Sequence, residues 1–148
     1  MPHFGLMDEN DMTEGDAALQ RARLHLRSAR RQLRQVKFAA GITTLYDALV
    51  SAMRWHFAVP ELRSKLIIRG NEDLENDKTI FMILVRSGVL DGSFPVTMFE
   101  TLEDQALSVE TPQFDCQDML EKIENLMTQL GVLPFDEKEL PPETPTAF

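Results

Sequence analysis

The sequence predicts an all-α fold, an antiparallel bundle of four to five helices joined by short connections. Two features of the composition favour helices. Leucine and methionine are frequent, and only seven of the 148 residues are glycine; unbranched side chains lose little rotamer freedom in a helix. A third observation is that apolar residues recur at helical spacing in several separate segments. These segments are expected to pack as helices around one core.

The predicted organisation is one helical domain with a polar extension at each end. We predict a flexible arm over residues 1–12, a helical bundle domain over residues 13–133 and a disordered tail over residues 134–148. The tail contains four prolines among charged residues, a composition with little apolar surface to bury. A chain of this length is expected to form one domain rather than two.

The first two helices have the clearest patterns. Thr13 is a suitable N-terminal cap for a helix over residues 14–37. A second helix is predicted over residues 39–58, with a broader apolar face and an end at Pro60. In the first segment, spacings of three and four residues alternate, which predicts one narrow buried seam of Leu19, Ala22, Leu26, Ala29, Leu33, Val36 and Ala40.

Three further helices are predicted in the rest of the domain. A helix over residues 74–87 is preferred to a strand because the apolar run 80–85 has charged flanks. The next helix is predicted to begin near Pro95. Its apolar residues at helical spacing are Phe99, Leu102, Ala106 and Val109. The last helix is predicted between a cap at Asp115 and a C-terminal stop at Gly131.

Charge is distributed unevenly along the chain. Residues 17–46 contain seven basic residues and no acidic residue, whereas residues 71–148 contain 17 acidic and four basic residues. On the first helix the basic residues form one stripe: Arg23, Arg27, Arg30, Arg34 and Lys37, with Arg31 adjoining. We favour pairing of this stripe with acidic residues of the bundle; the alternatives are binding of nucleic acid or another anion, and binding of a partner protein. The acidic residues considered are Glu100, Glu103, Asp104, Asp118, Glu121 and Glu124.

A second candidate site is a polar cluster of Tyr46, Arg54 and His56 on the second helix. Histidine can transfer protons near neutral pH. However, no nucleophile is evident beside His56, and Arg54 cannot share its helix face at a separation of two residues. We therefore interpret His56 as a packed, hydrogen-bonded residue. We interpret Cys116 in the same way, as a packed thiol without special reactivity.

The sequence contains no recognised catalytic, phosphate-binding or metal-binding motif. Residues 71–77 alternate like a calcium loop but lack its central glycine and its final glutamate. We predict no catalytic residue, no cofactor, no metal and no enzymatic activity. No signal-peptide pattern is present, and the longest apolar run is far shorter than the roughly 20 residues that span a bilayer. We expect a cytoplasmic protein that does not bind membranes.

Residues 15–58 resemble the opening helix pair of the HEPN family of helical bundles. The resemblance rests on the Ala22 to Ala29 spacing and on the run Leu45-Tyr46-Asp47-Ala48-Leu49. That family includes toxin ribonucleases and partners of minimal nucleotidyltransferases. The ribonucleases carry an arginine and a histidine several residues apart, a spacing that neither Arg54 with His56 nor Arg21 with His25 reproduces. The resemblance therefore implies a non-catalytic helper role, and no catalytic residue carries over.

These observations predict a non-enzymatic helical interaction module that binds a protein partner or itself. The narrow apolar seam and the opposite charges of the two halves favour a symmetric homodimer, in which a basic helix of one copy meets an acidic helix of the other. The alternative is an RNA- or nucleotide-binding accessory protein that uses the arginine stripe.

Overall fold

The computed structural model describes residues 12–143, in which the chain forms helices and no strand. The α-helices are α1 (Glu14–Arg34), α2 (Phe38–Ala58), α3 (Pro60–Arg63), α4 (Asp77–Arg86), α5 (Val96–Ala106) and α6 (Cys116–Gln129), followed by a 3₁₀ helix at Glu137–Glu139. The predicted all-α bundle is confirmed. The predicted flexible arm lies outside the described residues except for Met12.

Helices α1 and α2 form an antiparallel hairpin at the centre of the molecule. The seam of α1 that is buried against α2 consists of Ala22, Leu26, Ala29 and Leu33. The two backbones approach closely, because a Cβ atom placed on Gly41 would lie 2.6 Å from Cδ2 of Leu33. Thr13 caps α1 as predicted, and its hydroxyl accepts a hydrogen bond from the Asp16 amide at 3.0 Å.

The turn between α1 and α2 ends the seam earlier than the spacing predicts. Helix α1 stops at Arg34 rather than at residue 37. The amides of Val36 and Lys37 close its last turn on carbonyls of α1, which leaves Val36 with a φ of 62°. Glycine is the usual residue in this conformation, and a β-branched side chain is strained there. The prediction that Val36 and Ala40 extend the buried seam is wrong, because both are exposed.

Helix α2 contacts all of the other α-helices and carries the centre of the core. Its fully buried apolar residues are Ile42, Leu45, Ala48, Leu49, Ala52 and Met53. Phe81 of α4 and Phe99 of α5 stack with ring centroids 4.7 Å apart and close one side of this core. The apolar run of residues 80–85 lies within α4, so the preference for a helix over a strand is confirmed.

The predicted end of α5 differs from the observed one, whereas the predicted ends of α6 agree. Helix α5 stops at Ala106, so the prediction that Val109 continues its buried face is wrong, and Val109 is 96% exposed. At the start of α6, the Asp115 side chain accepts hydrogen bonds from two backbone amides of the first turn. At its end, Gly131 has a φ of 85°. The predicted cap and stop of this helix are confirmed.

Residues 134–143, here called the strap, pack along α1 after the chain leaves α6. Leu140 is buried, Phe135 is half-buried and the 3₁₀ helix lies between them. The prediction of a disordered tail is therefore wrong for residues 134–143, because Phe135 and two carboxylates find partners on α1 and Leu140 is buried. Residues 144–148 lie outside the described residues.

Candidate functional site

The basic stripe predicted from the sequence divides into a covered part and an exposed part. Its arginines all lie on α1, and we call them the arginine face: Arg23, Arg27, Arg30, Arg31 and Arg34. Lys37 lies just beyond, at the N-terminal cap position of α2. The strap and α6 cover most of this face, whereas Arg34 and Lys37 are exposed.

Carboxylates of the strap and of α6 pair with the middle of the arginine face. Arg30 donates from Nε to Oε2 of Glu124 at 2.8 Å and from Nη1 to Oε2 of Glu137 at 3.1 Å. Arg31 donates from Nη1 to Oε2 of Glu143 at 2.8 Å, and Oε1 of Glu143 lies 3.3 Å from Nε of Arg27. Internal pairing was the favoured interpretation, but its acidic partners were mostly misassigned, because the strap supplies two of these three carboxylates.

An aromatic ring also lies against the arginine face. The guanidinium carbons of Arg23 and Arg30 lie 5.7 Å and 5.9 Å from the ring centroid of Phe135, within the range of cation–π attraction. The pairing is incomplete, since Nε of Arg23 and Nη2 of Arg27 are buried without a hydrogen-bond acceptor in the described part of the chain. A buried guanidinium donor without an acceptor is unfavourable, so a ligand that brings an acceptor to these atoms would bind favourably.

The predicted polar cluster forms only in part, and α4 completes it. The Tyr46 hydroxyl lies 2.7 Å from Oδ2 of Asp77 and 3.0 Å from Oε2 of Glu103. Arg54 donates from Nη2 to Oδ1 of Asp77 at 2.7 Å. A phenol has one proton and can donate fully to only one of the two carboxylates. The pKa of the Tyr46 hydroxyl is raised by burial and by hydrogen bonding to Asp77, so the hydroxyl remains protonated.

Neighbouring Asp47 adds a third carboxyl group to this cluster. Burial, together with the negative charge of Asp77, raises the pKa of Asp47 to about 6. An unfolded chain releases this proton near pH 3.9. The folded state therefore holds the proton more tightly, and the stability associated with Asp47 is greatest below about pH 4 and is lost as the pH rises through 6.

Replacing Asp47 by asparagine is expected to raise the free energy of unfolding at pH 7.5 by about 1 kcal/mol, because the partly buried charge is removed. Urea unfolding at pH 4.5 and pH 7.5 measures the effect, which should be smaller at the lower pH. Asp73→Asn, in an exposed loop, is the matched control. Equal effects of the two substitutions at both pH values would contradict the conclusion that the partly buried charge of Asp47 destabilises the folded chain at pH 7.5.

His56 does not join this polar cluster. Its Nε2 atom lies 2.6 Å from the Leu130 carbonyl, at the far end of α2. A carbonyl can only accept, so Nε2 carries the proton and the ring is the donor. Burial lowers the pKa of His56, which keeps the ring neutral. The interpretation of His56 as packed and hydrogen-bonded agrees with this arrangement, whereas its grouping with Tyr46 and Arg54 is wrong.

A fourth feature, not predicted from the sequence, is an apolar patch at one end of the bundle. Six large apolar side chains are exposed in residues 12–143. Four of them lie in or next to two neighbouring connections and are here called the end patch: Val36 in the α1–α2 turn, Phe38 at the start of α2, and Leu107 and Val109 after α5. The Thr43 hydroxyl lies 3.0 Å from the Ala106 carbonyl, which places the end of α5 beside the second turn of α2.

Charges of opposite sign flank the two halves of the end patch. Arg34 and Lys37 are exposed beside Val36 and Phe38, whereas Asp104 and Glu110 are exposed beside Leu107 and Val109. The patch thus has a basic half and an acidic half. Sequence periodicity missed it because both Val36 and Val109 extend an apolar spacing past the point where the helix ends.

No group of residues in the described ranges could hold a metal ion, and none of the helices there is both long and apolar enough to cross a membrane. No protein-family model matches the chain, and neither a curated protein nor a solved structure is significantly similar to it. The resemblance to HEPN bundles accordingly stays a prediction.

Proposed function

We propose that the protein is a non-enzymatic helical interaction module that associates with a second copy of itself through the end patch. The observation that supports this proposal is the concentration of four of the six exposed large apolar side chains of residues 12–143 at one end of the bundle. Leu107 and Val109 are 83% and 96% exposed. Clustered exposed apolar residues on a small protein are typical of binding surfaces.

The charges around the end patch favour a second copy as its occupant. In a twofold symmetric dimer each half of the surface meets the other half of the partner copy. The basic half, with Arg34 and Lys37, would then face the acidic half, with Asp104 and Glu110, and the reverse contact would form as well. Such complementarity steers two copies into one orientation.

The proposed dimer differs from the one that the sequence pattern favours. The apolar seam of α1 is used within the chain, against α2, and so is most of the arginine face. Four side chains form a small contact, and stable interfaces bury about 1,200 Å² or more. We therefore propose a reversible dimer rather than a permanent one.

The alternative, an RNA- or nucleotide-binding accessory protein, depends on the arginine face. Carboxylates already pair with Arg27, Arg30 and Arg31, and the net charge of −9 repels polyanions. These features give the alternative less support than the dimer.

Replacing Leu107 by aspartate is expected to weaken self-association at least tenfold, because a charge would be buried at the centre of the contact. Sedimentation velocity over a range of protein concentrations measures the monomer–dimer equilibrium. The matched control is Ile67→Asp, at another exposed apolar residue outside the patch. The control variant should associate like the wild-type chain, and equal weakening by both substitutions would contradict a role of the end patch.

The twofold arrangement has its own test. Lys37→Glu alone should weaken the dimer, and Lys37→Glu combined with Glu110→Lys in the same chain should restore much of the loss, because both charges are reversed at each contact. The absence of any recovery in the double variant would contradict the proposed pairing of the basic half with the acidic half.

A further inference from the structure

The strap occupies the arginine face with three kinds of contact. Carboxylates of Glu137 and Glu143 pair with arginines, Phe135 lies within cation–π range of two guanidinium groups, and Leu140 is buried. The surface beneath the strap is therefore cationic, and the strap that covers it also buries one of its own leucines. This combination fits an acidic peptide with an aromatic and a leucine residue better than it fits a phosphate backbone, which has no apolar side chain to bury.

The contacts between the strap and α1 are few enough for the strap to dissociate from α1. The ion pair of Glu137 with Arg30 is partly exposed to solvent, with side-chain exposures of 44% and 21%, and such pairs contribute little stability. The pairs of Glu143 with Arg27 and Arg31 are more enclosed. The strap has one short 3₁₀ helix and two apolar anchors. It also leaves Nη2 of Arg27 and Nε of Arg23 without acceptors in the described chain. A ligand that satisfies these donors would bind more tightly than the strap does.

We propose that the arginine face is a binding surface for an acidic segment of a partner protein, and that the strap is an intramolecular competitor for it. The partner segment carries an aromatic residue and a leucine at the spacing of Phe135 and Leu140, with glutamates around them. Because the strap is covalently attached, its effective concentration is on the order of millimolar, and it holds the surface until a tighter segment displaces it. The arginine face does not include the end patch, so binding of the partner segment and self-association can be tested separately.

The test uses the full-length chain and a fluorescein-labelled peptide with the sequence of residues 134–143. In the variant Glu137→Gln with Glu143→Gln the strap loses its main ion pairs with α1, while glutamine keeps the size of each side chain and neither residue belongs to the hydrophobic core. Circular dichroism verifies the helical content. Fluorescence anisotropy should show at least tenfold tighter peptide binding by this variant than by the wild-type chain.

Three comparisons separate the proposal from simple charge attraction. A peptide with Phe135→Ala and Leu140→Ala has the same charge and should bind at least tenfold more weakly. Adding Arg31→Gln to the released variant should weaken peptide binding, since Arg31 pairs with Glu143. A single-stranded uridine oligonucleotide should bind more weakly than the peptide.

The proposal would be overturned by any of four results. These are equal peptide binding by the wild-type and released chains, no binding by a folded released chain, equal binding of the peptide without anchors, and tighter binding of the oligonucleotide. The last result would assign the surface to nucleic acid instead.

Discussion

Replacing Phe99 by alanine is expected to lower the free energy of unfolding by about 3–5 kcal/mol. The Phe99 side chain is completely buried, and its ring lies 4.7 Å from that of Phe81 and 5.9 Å from that of Tyr46 between centroids. Its removal leaves a cavity where α2, α4 and α5 meet, and the tightly packed neighbours cannot fill it.

Urea unfolding followed by circular dichroism measures this loss. The control is Ile67→Ala, outside the end patch, where an exposed side chain contributes within about 0.5 kcal/mol. A loss below about 1.5 kcal/mol for Phe99→Ala would show that these three helices are not packed around its ring.

Replacing His56 by alanine is expected to cost about 2–4 kcal/mol, because two losses combine. The substitution removes a buried ring and leaves the Leu130 carbonyl without the donor that now lies 2.6 Å away. This hydrogen bond joins the end of α2 to the end of α6. Burial lowers the pKa of His56, so its contribution is present above about pH 6.5 and decreases as the pH falls.

A glutamine at position 56 distinguishes the hydrogen bond from the packing. Its amide nitrogen can replace the donor, so His56→Gln should retain part of the stability that His56→Ala loses. Urea unfolding of both variants at pH 7.5 gives the comparison. Equal losses would indicate that packing alone explains the role of His56 and that the bond to Leu130 contributes nothing.

Local signals in the sequence were sufficient where a short segment determines its own conformation. Asp115 caps α6 and Gly131 ends it, because an acceptor side chain and a positive φ each satisfy a need of the helix end itself. The seam residues from Ala22 to Leu33 were likewise predicted, but α1 is buried over a wider surface than one narrow seam, since Leu24, His25 and Ser28 are buried as well. Beyond Arg34 the same spacing gave a wrong prediction. The helix ends there, and Val36 has a positive φ, a conformation that glycine usually adopts.

Contacts between distant segments could not be predicted from spacing. The arginine stripe required acidic partners, and the sequence offered many carboxylates without a means of choosing among them. The chain uses Glu124, Glu137 and Glu143. From its composition the strap was predicted to be a disordered tail. Composition counts apolar residues but does not show that two of them, Phe135 and Leu140, are covered in the folded chain.

The candidate sites show the same division. Tyr46 and Arg54 lie about two helical turns apart on α2 and both contact Asp77, which comes from α4. The end patch depends on two connections that meet only in the folded chain, as the Thr43–Ala106 hydrogen bond shows. No pattern within either connection indicates that meeting.

The most direct test of the proposed function is sedimentation equilibrium of the untreated wild-type protein from low to high micromolar concentration. We expect a reversible monomer–dimer equilibrium that the Leu107→Asp variant lacks, with a folded monomer in both cases. A wild-type chain that remains strictly monomeric at high micromolar concentration in low salt would contradict self-association through the end patch.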